Sequence, residues 1–189
     1  MFRLAFFVLL LAAVPLTLML FEADLRPNPP AGDFRLESAD GPLALSDHRG
    51  EWVVLYFGYA ACPDVCPNSL ARWSEVFREL ERREGRRPQA LLFISVDPNR
   101  DRPSTLRPLA RFFHPDFDGI TGSEQAIAEV AERYHVDYAR GERTDSAMGY
   151  SIDHTTYSYL IDPRGELVAM FPDTLRVEQL VDAVAEEMR

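Results

Sequence analysis

Residues 52–67 read Trp-Val-Val-Leu-Tyr-Phe-Gly-Tyr-Ala-Ala-Cys-Pro-Asp-Val-Cys-Pro. The run from Trp52 to Phe57 is short, apolar and rich in β-branched and aromatic residues, as a buried central strand is. Gly58 breaks it, and the chain's two cysteines follow, Cys62 and Cys66. Pro67 then opens an amphipathic segment, 68–83, with Leu70, Trp73, Phe77 and Leu80 at helical spacing. Proline favours the first helical position, where its missing N–H has no partner to lose. This reading puts Cys66 at or next to a helix N-terminus, whose partial positive charge favours thiolate over thiol.

Working outward, residues 90–96 form a second buried strand that ends in Asp97-Pro98-Asn99-Arg100-Asp101. Upstream, 34–45 alternates around Asp40-Gly41, a hairpin turn signal, and 46–50 is a turn. Downstream, helices are expected over 104–113 and 123–134, with a loop holding Pro115 and Gly119 between them. A short strand at 136–139 precedes a polar stretch, 140–149. Strands 155–161 and 167–171 flank Asp162-Pro163-Arg164-Gly165 as an antiparallel hairpin, and a helix over 177–188 closes the chain. No internal repeat or low-complexity tract interrupts the pattern. The expected fold is α/β: a thioredoxin-like three-layer sandwich, a central mixed sheet with flanking helices. A thiol pair placed just after the first central strand, opening a helix, is the thioredoxin arrangement. Such sites lie in the crevice at the carboxyl ends of strands.

The N-terminus is a separate matter. Met1-Phe2-Arg3 precedes 18 uncharged residues, 4–21, and Glu22 and Asp24 follow. That length is just enough to cross a bilayer. Arg3 orients the start inward and the rest outward. Residues 1–21 are therefore expected to be one transmembrane anchor, 22–32 a Pro-rich linker, and 33–189 the folded domain. The expected location is a bacterial inner membrane, single-pass, with the C-terminal domain in the periplasm.

The chain has 20 basic residues, all arginine, against 30 acidic ones, a net charge of −10. An acidic surface argues against nucleic acid and against anionic lipid heads as ligands. A body of this size needs no disulfide to stabilise its core. Two cysteines are too few for a disulfide scaffold, which leaves chemistry as the alternative to a staple.

Four histidines are available. His48 falls in a turn, His114 precedes a proline, and His135 sits at a helix C-terminus, where a cation is favourable without further function. His154 falls between the polar stretch and a strand, at an element edge where site residues often lie.

Three tracts, residues 56–67, 95–101 and 152–155, with Tyr159-Leu160-Ile161-Asp162-Pro163 after them, resemble the Sco/SenC family of membrane-anchored copper chaperones for cytochrome c oxidase assembly. The resemblance runs in order from about Gly32 to the C-terminus. It implies a thioredoxin-like fold and a copper site made by Cys62, Cys66 and His154. The receiving partner it implies is the dinuclear copper site of cytochrome c oxidase subunit II, with an upstream copper donor protein. Ala60 departs from the threonine common in the family. The ligand types suit the metal, since thiolates select Cu(I) and imidazole suits copper in either the Cu(I) or the Cu(II) state. The two cysteines can also close as a redox disulfide, which would make loading depend on redox state. Asp64, Asp97 and Asp153 are candidates to orient ligands from behind, though each also reads as an ordinary loop carboxylate or turn residue. No catalytic residue is assigned.

Competing readings remain. A thiol–disulfide oxidoreductase acting on the same subunit would use the same dithiol, although general reductases use a Cys-x-x-Cys spacing and need no distant histidine. A peroxidase would want a Thr or Ser shortly before its cysteine, where Ala60 and Ala61 stand. A purely structural disulfide is the fourth reading.

Overall fold

The computed structural model describes residues 31–142 and 149–189. The expected anchor, 1–21, and most of the linker, 22–32, lie outside the described residues, as do residues 143–148 of the polar stretch. Among the described residues, no helix is long and apolar enough to cross a membrane.

The chain opens with the hairpin β1 (Arg35–Ser38) and β2 (Gly41–Ala44), then a 3-10 turn, Leu45–His48. Next come β3 (Val53–Gly58), α1 (Val65–Glu84), β4 (Ala90–Ser95), α2 (Pro103–Phe113), β5 (Phe117–Ile120) and α3 (Glu124–Arg133). The short strands β6 (Tyr138–Arg140) and β7 (Ile152–His154), the hairpin β8 (Tyr157–Ile161) and β9 (Leu167–Pro172), and α4 (Val177–Glu187) complete it. Five strands form the main sheet in the order β5-β4-β3-β8-β9. β3, β4 and β5 run parallel, while β8 and β9 run antiparallel to their neighbours, so the sheet is mixed as expected.

β3 and β4 are buried along their whole length, which is what helices on both faces of a parallel pair impose. α1 packs beside α2 and α4. It inserts Leu70, Trp73, Val76, Phe77 and Leu80 into the core. The Trp73 indole N–H donates to the Ser158 hydroxyl on β8 at 2.7 Å, so the largest core side chain also satisfies its polar atom. Side chains alternate along β3. On the face away from α1, Phe57 and Tyr159 meet Tyr134, just past α3.

Four local expectations need correction. First, α1 begins at Val65, two residues before Pro67. The proline occupies the third helical position, still among the four whose N–H groups have no intrahelical partner. Cys66 is thus inside the first turn. Second, the expected loop around Pro115 and Gly119 contains β5, the edge strand. A Cβ at Gly119 would lie 2.5 Å from the Leu106 backbone carbon, so only glycine lets α2 close onto this strand. Third, the strand expected at 136–139 starts two residues later. His135 adopts a left-handed φ of 52°, and the Val136 N–H bonds back to the Ala131 carbonyl at 2.8 Å. That is a Schellman ending, and it uses these residues to close α3. Fourth, the hairpin strand expected from 155 starts at Tyr157, and His154 lies at the edge of a different element. It ends β7, which pairs with β6 as a separate two-stranded ribbon.

Candidate metal centre

The site lies at the carboxyl end of β3. Gly58, the last residue of that strand, is a packing requirement: a Cβ there would stand 2.7 Å from Cys66 Sγ and 2.8 Å from the Phe93 ring. The Val96 N–H donates to the Gly58 carbonyl at 2.8 Å, fixing the exit of the chain. The loop then turns, with the Cys62 N–H bonded to the Tyr59 carbonyl at 3.2 Å.

The two cysteines are unbridged. Cys62 is half-buried and Cys66 is buried, with 2% of its surface exposed. Their sulfurs are within hydrogen-bonding reach, and this contact splits their acidities. The Cys66 thiol donates to Cys62, and the Cys66 and Asp64 backbone N–H groups add to it, so the Cys62 thiol is pulled down to about 5 against a smaller opposing effect of burial. Cys66, as the proton holder of the pair and the more buried one, is pushed well up. The Cys66 N–H sits 3.5 Å from Cys62 Sγ, so the open first turn of α1 faces the more exposed sulfur.

Eighty-eight residues further on, His154 returns to the same place, with Nε2 3.5 Å from Cys66 Sγ. The other ring nitrogen, Nδ1, is 3.0 Å from the Thr155 carbonyl oxygen. A carbonyl only accepts, so Nδ1 carries the proton and Nε2 presents its lone pair to the sulfurs. The ring stands edge-on to Tyr56 and Tyr59, at centroid distances of 6.5 and 6.0 Å. The Tyr56 hydroxyl is buried against Cys66 and Ser69 yet makes no well-formed hydrogen bond. It is an unspent donor aimed at the site. Burial and the neighbouring Cys66 push its pKa up accordingly.

Cys62, Cys66 and His154 are therefore brought together. Among the described residues no group of three or more His, Cys, Asp or Glu side chains is placed, as it stands, to hold a metal ion. Cys66 Sγ and His154 Nε2 stand 3.5 Å apart. Cys62, Cys66 and His154 are the residues that would hold an ion here. The donor set, two sulfurs and one imidazole nitrogen, suits a soft ion.

The three carboxylates considered from sequence behave differently. Asp64 is exposed and accepts from the Asn68 amide at 2.7 Å; its backbone N–H, not its carboxylate, addresses Cys62. Asp153 is exposed and alternates with His154 along β7, so it leaves the opposite face of the ribbon. Asp97 is buried but accepts from Arg100 Nε and from the Tyr150 hydroxyl, the latter at 2.7 Å. None of the three holds a ligand directly.

Sequence reasoning missed other supports. Arg100 and Asp101 read as a solvated turn. In the structure Asp101 is buried, and its carboxylate accepts from the Ala60 N–H at 2.9 Å and the Ser95 hydroxyl at 2.5 Å. It thereby pins the start of the cysteine loop to the end of β4. Burial pushes its pKa up, the two hydrogen bonds oppose this, and nearby Asp97 adds to the rise. A charged residue directly after a buried strand, in a tract with a second Asp, was the available signal.

The fold and the site together define a class: thioredoxin-like domains in which a Cys-x-x-x-Cys loop at a helix start meets a histidine from a distant hairpin. The chain belongs to the SCO1/SenC family, whose model matches residues 23–189. It is 39% identical over 158 residues to the bovine mitochondrial SCO2 homolog, covering 83% of this chain and 59% of that protein. It is 38% identical over 141 residues to an SCO2-like protein of Rickettsia conorii, covering 74% and 68%. Among solved structures it is similar to Arabidopsis thaliana ScoI with copper bound: TM-score 0.79, 34% identity, 84% of this chain and 97% of that one. The chain thus spans about six tenths of the length of its bovine relative.

Proposed function

We propose that this protein is a membrane-anchored copper metallochaperone that delivers copper to the dinuclear copper site of cytochrome c oxidase subunit II during oxidase assembly. Cys62, Cys66 and His154 would be the ligands. The observation that carries the reading is the convergence of His154 on Cys66, with Nδ1 already committed to the Thr155 carbonyl and Nε2 left for the ion. A ligating histidine held through its other nitrogen is how metal sites fix tautomer and ring angle. Two thiolates and a neutral imidazole carry a charge of −2, which a copper cation offsets in part or in full, and three donors leave a side open for a receiving ligand. Because a thiol must lose its proton to ligate, loading is expected to weaken at low pH. Anchoring by residues 1–21, a periplasmic domain and an upstream copper donor belong to the same proposal.

Titration of the reduced domain with copper, repeated on His154→Ala, tests it. The variant is expected to bind more weakly, with altered absorption. Unchanged affinity and spectrum would reject the three-ligand site.

A second reading is favoured by the unbridged dithiol itself, half-buried Cys62 within reach of buried Cys66, a contact that draws the Cys62 thiol down. That is the acidity pattern of a thiol–disulfide reductant acting on the cysteines of the same subunit. Full reductase activity with copper chelated, retained in His154→Ala, would favour it over delivery.

A further inference from the structure

His154 rides on the β6–β7 ribbon, which is not hydrogen-bonded into the main sheet. The main sheet reaches His154 only through the two-residue link from β8, so other contacts help set where the imidazole stands. Packing does so only in part: a cavity of about 330 Å³ opens between the ribbon residues Tyr138, Arg140 and Ile152 and the facing Val96, Asn99 and Glu124. What bridges the ribbon to the rigid end of β4 is a polar and aromatic clamp. Arg100, just after β4, donates through Nε to buried Asp97 and through NH1 to the Tyr150 carbonyl at 2.9 Å. Its guanidinium lies 3.7 Å from the centroid of the Tyr150 ring, and Arg140 of β6 covers the same ring at 3.6 Å. The Tyr150 hydroxyl closes the circuit on Asp97 at 2.7 Å. The same Arg100 guanidinium stands 5.6 Å from the Tyr59 ring, which is itself edge-on to His154 and has its hydroxyl near the Ile152 amide.

The geometry points to Arg100 and Tyr150 as positioning residues for the His154 ligand. Neither touches the sulfurs or the imidazole. They tie the ribbon's entry, four residues before His154, to β4, and through Tyr59 they brace the wall the imidazole rests on. Two guanidiniums stack on one half-buried tyrosine; Arg140 is exposed, so the tie rests chiefly on Arg100, through its ion pair with buried Asp97 and its bond to the Tyr150 carbonyl. The assignment rests on the copper reading above. It makes the third ligand's availability a property of a clamp, Arg100 with Tyr150, that is distinct from the dithiol.

The test is a double-mutant cycle on the reduced protein, with Cu(I) affinity measured by chelator competition and Cu(II) coordination by electron paramagnetic resonance. Arg100→Met is expected to weaken copper binding by about tenfold or more in the native background and to attenuate the nitrogen hyperfine signal. In the His154→Ala background it should change affinity less than about twofold, because the coupling has been removed. Equal losses in both backgrounds, or native affinity with an unchanged nitrogen signal, would overturn the assignment. A metal-free readout separates this from failure of the copper reading. In proton NMR of the apo protein, the contact between the Tyr59 and His154 rings should be lost in Arg100→Met; its persistence would overturn the clamp whether or not copper binds. Should Arg100→Met fail to fold, Tyr150→Leu, which removes the ring and hydroxyl but leaves Asp97 paired with Arg100, is held to the same outcomes.

Discussion

At the scale of single residues, the site is organised by unequal protons. Cys62 is the acidic thiol of the pair, near 5, because Cys66 and two backbone amides donate to it. At pH 7 it is thiolate, and it stays so until the pH falls through about 5. Its alkylation rate in the reduced protein is therefore expected to be flat from pH 8 to about 6 and to drop below about 5, where a free thiol would already have lost most of its reactivity by pH 7. Cys66, pushed up and buried, should remain unlabelled across that range. Mass-spectrometric mapping of the labelled cysteine checks both. Tyr56 gives a second prediction. Its buried hydroxyl has no well-formed partner while Cys66 keeps its proton, and an unsatisfied buried polar group costs about 1–3 kcal/mol. Tyr56→Phe should leave the apo protein as stable or up to about 1 kcal/mol more stable in urea, and should weaken copper binding, because the hydroxyl's purpose would be to donate to a Cys66 thiolate. A clear loss of apo stability would refute that account.

Elements position these residues, and here the legibility of the sequence can be judged. The β3-loop-α1 unit was readable because each of its signals is local: an apolar run, a glycine, a proline and helical spacing within about 30 residues. The hairpin of β8 and β9 was readable for the same reason. β5 and β7 were not. Phe117-Asp118-Gly119-Ile120 is a strand because β4 offers it a ladder and Gly119 lets α2 sit against it. Ile152-Asp153-His154 is a strand because β6 lies opposite. Both are created by pairing, which no local pattern records. The convergence of His154 on the dithiol came from family resemblance, since residue spacing alone says nothing of an 88-residue return. Asp101 was misread because a carboxylate in an Asp-Pro tract looks like any solvated turn. Buried, it joins the end of β4 to the cysteine loop through the Ala60 amide and Ser95 hydroxyl. Asp101→Ala is expected to cost about 1–3 kcal/mol in urea unfolding by orphaning both donors. Asp101→Asn, which can keep one acceptor oxygen, should cost less. Equal costs would mean that the carboxylate only fills space.

For the whole molecule, the proposed ligand set joins the central sheet's own loop to a ribbon outside it. Anything that ligates all three side chains cross-links these parts and binds the native state alone. With free Cu(I) at a hundredfold above the dissociation constant, the native state gains about 2.7 kcal/mol. For a domain of this size that is a rise in Tm of roughly 5–10 °C. Calorimetry should show the rise in the native protein, a smaller one in His154→Ala, and none when both cysteines are serine. A rise of equal size in all three would place the metal elsewhere.

The unequal exposure of the two sulfurs has one more consequence. Cys66 lies beneath the surface and Cys62 at it. An outside sulfur or nitrogen approaching this mouth meets Cys62 first and can reach the inner sulfur only after the outer one has shifted. For either proposed exchange, of an ion or of a disulfide bond, this geometry would set an order: the outer cysteine greets the visitor, and the inner one, with its imidazole neighbour, lets go last.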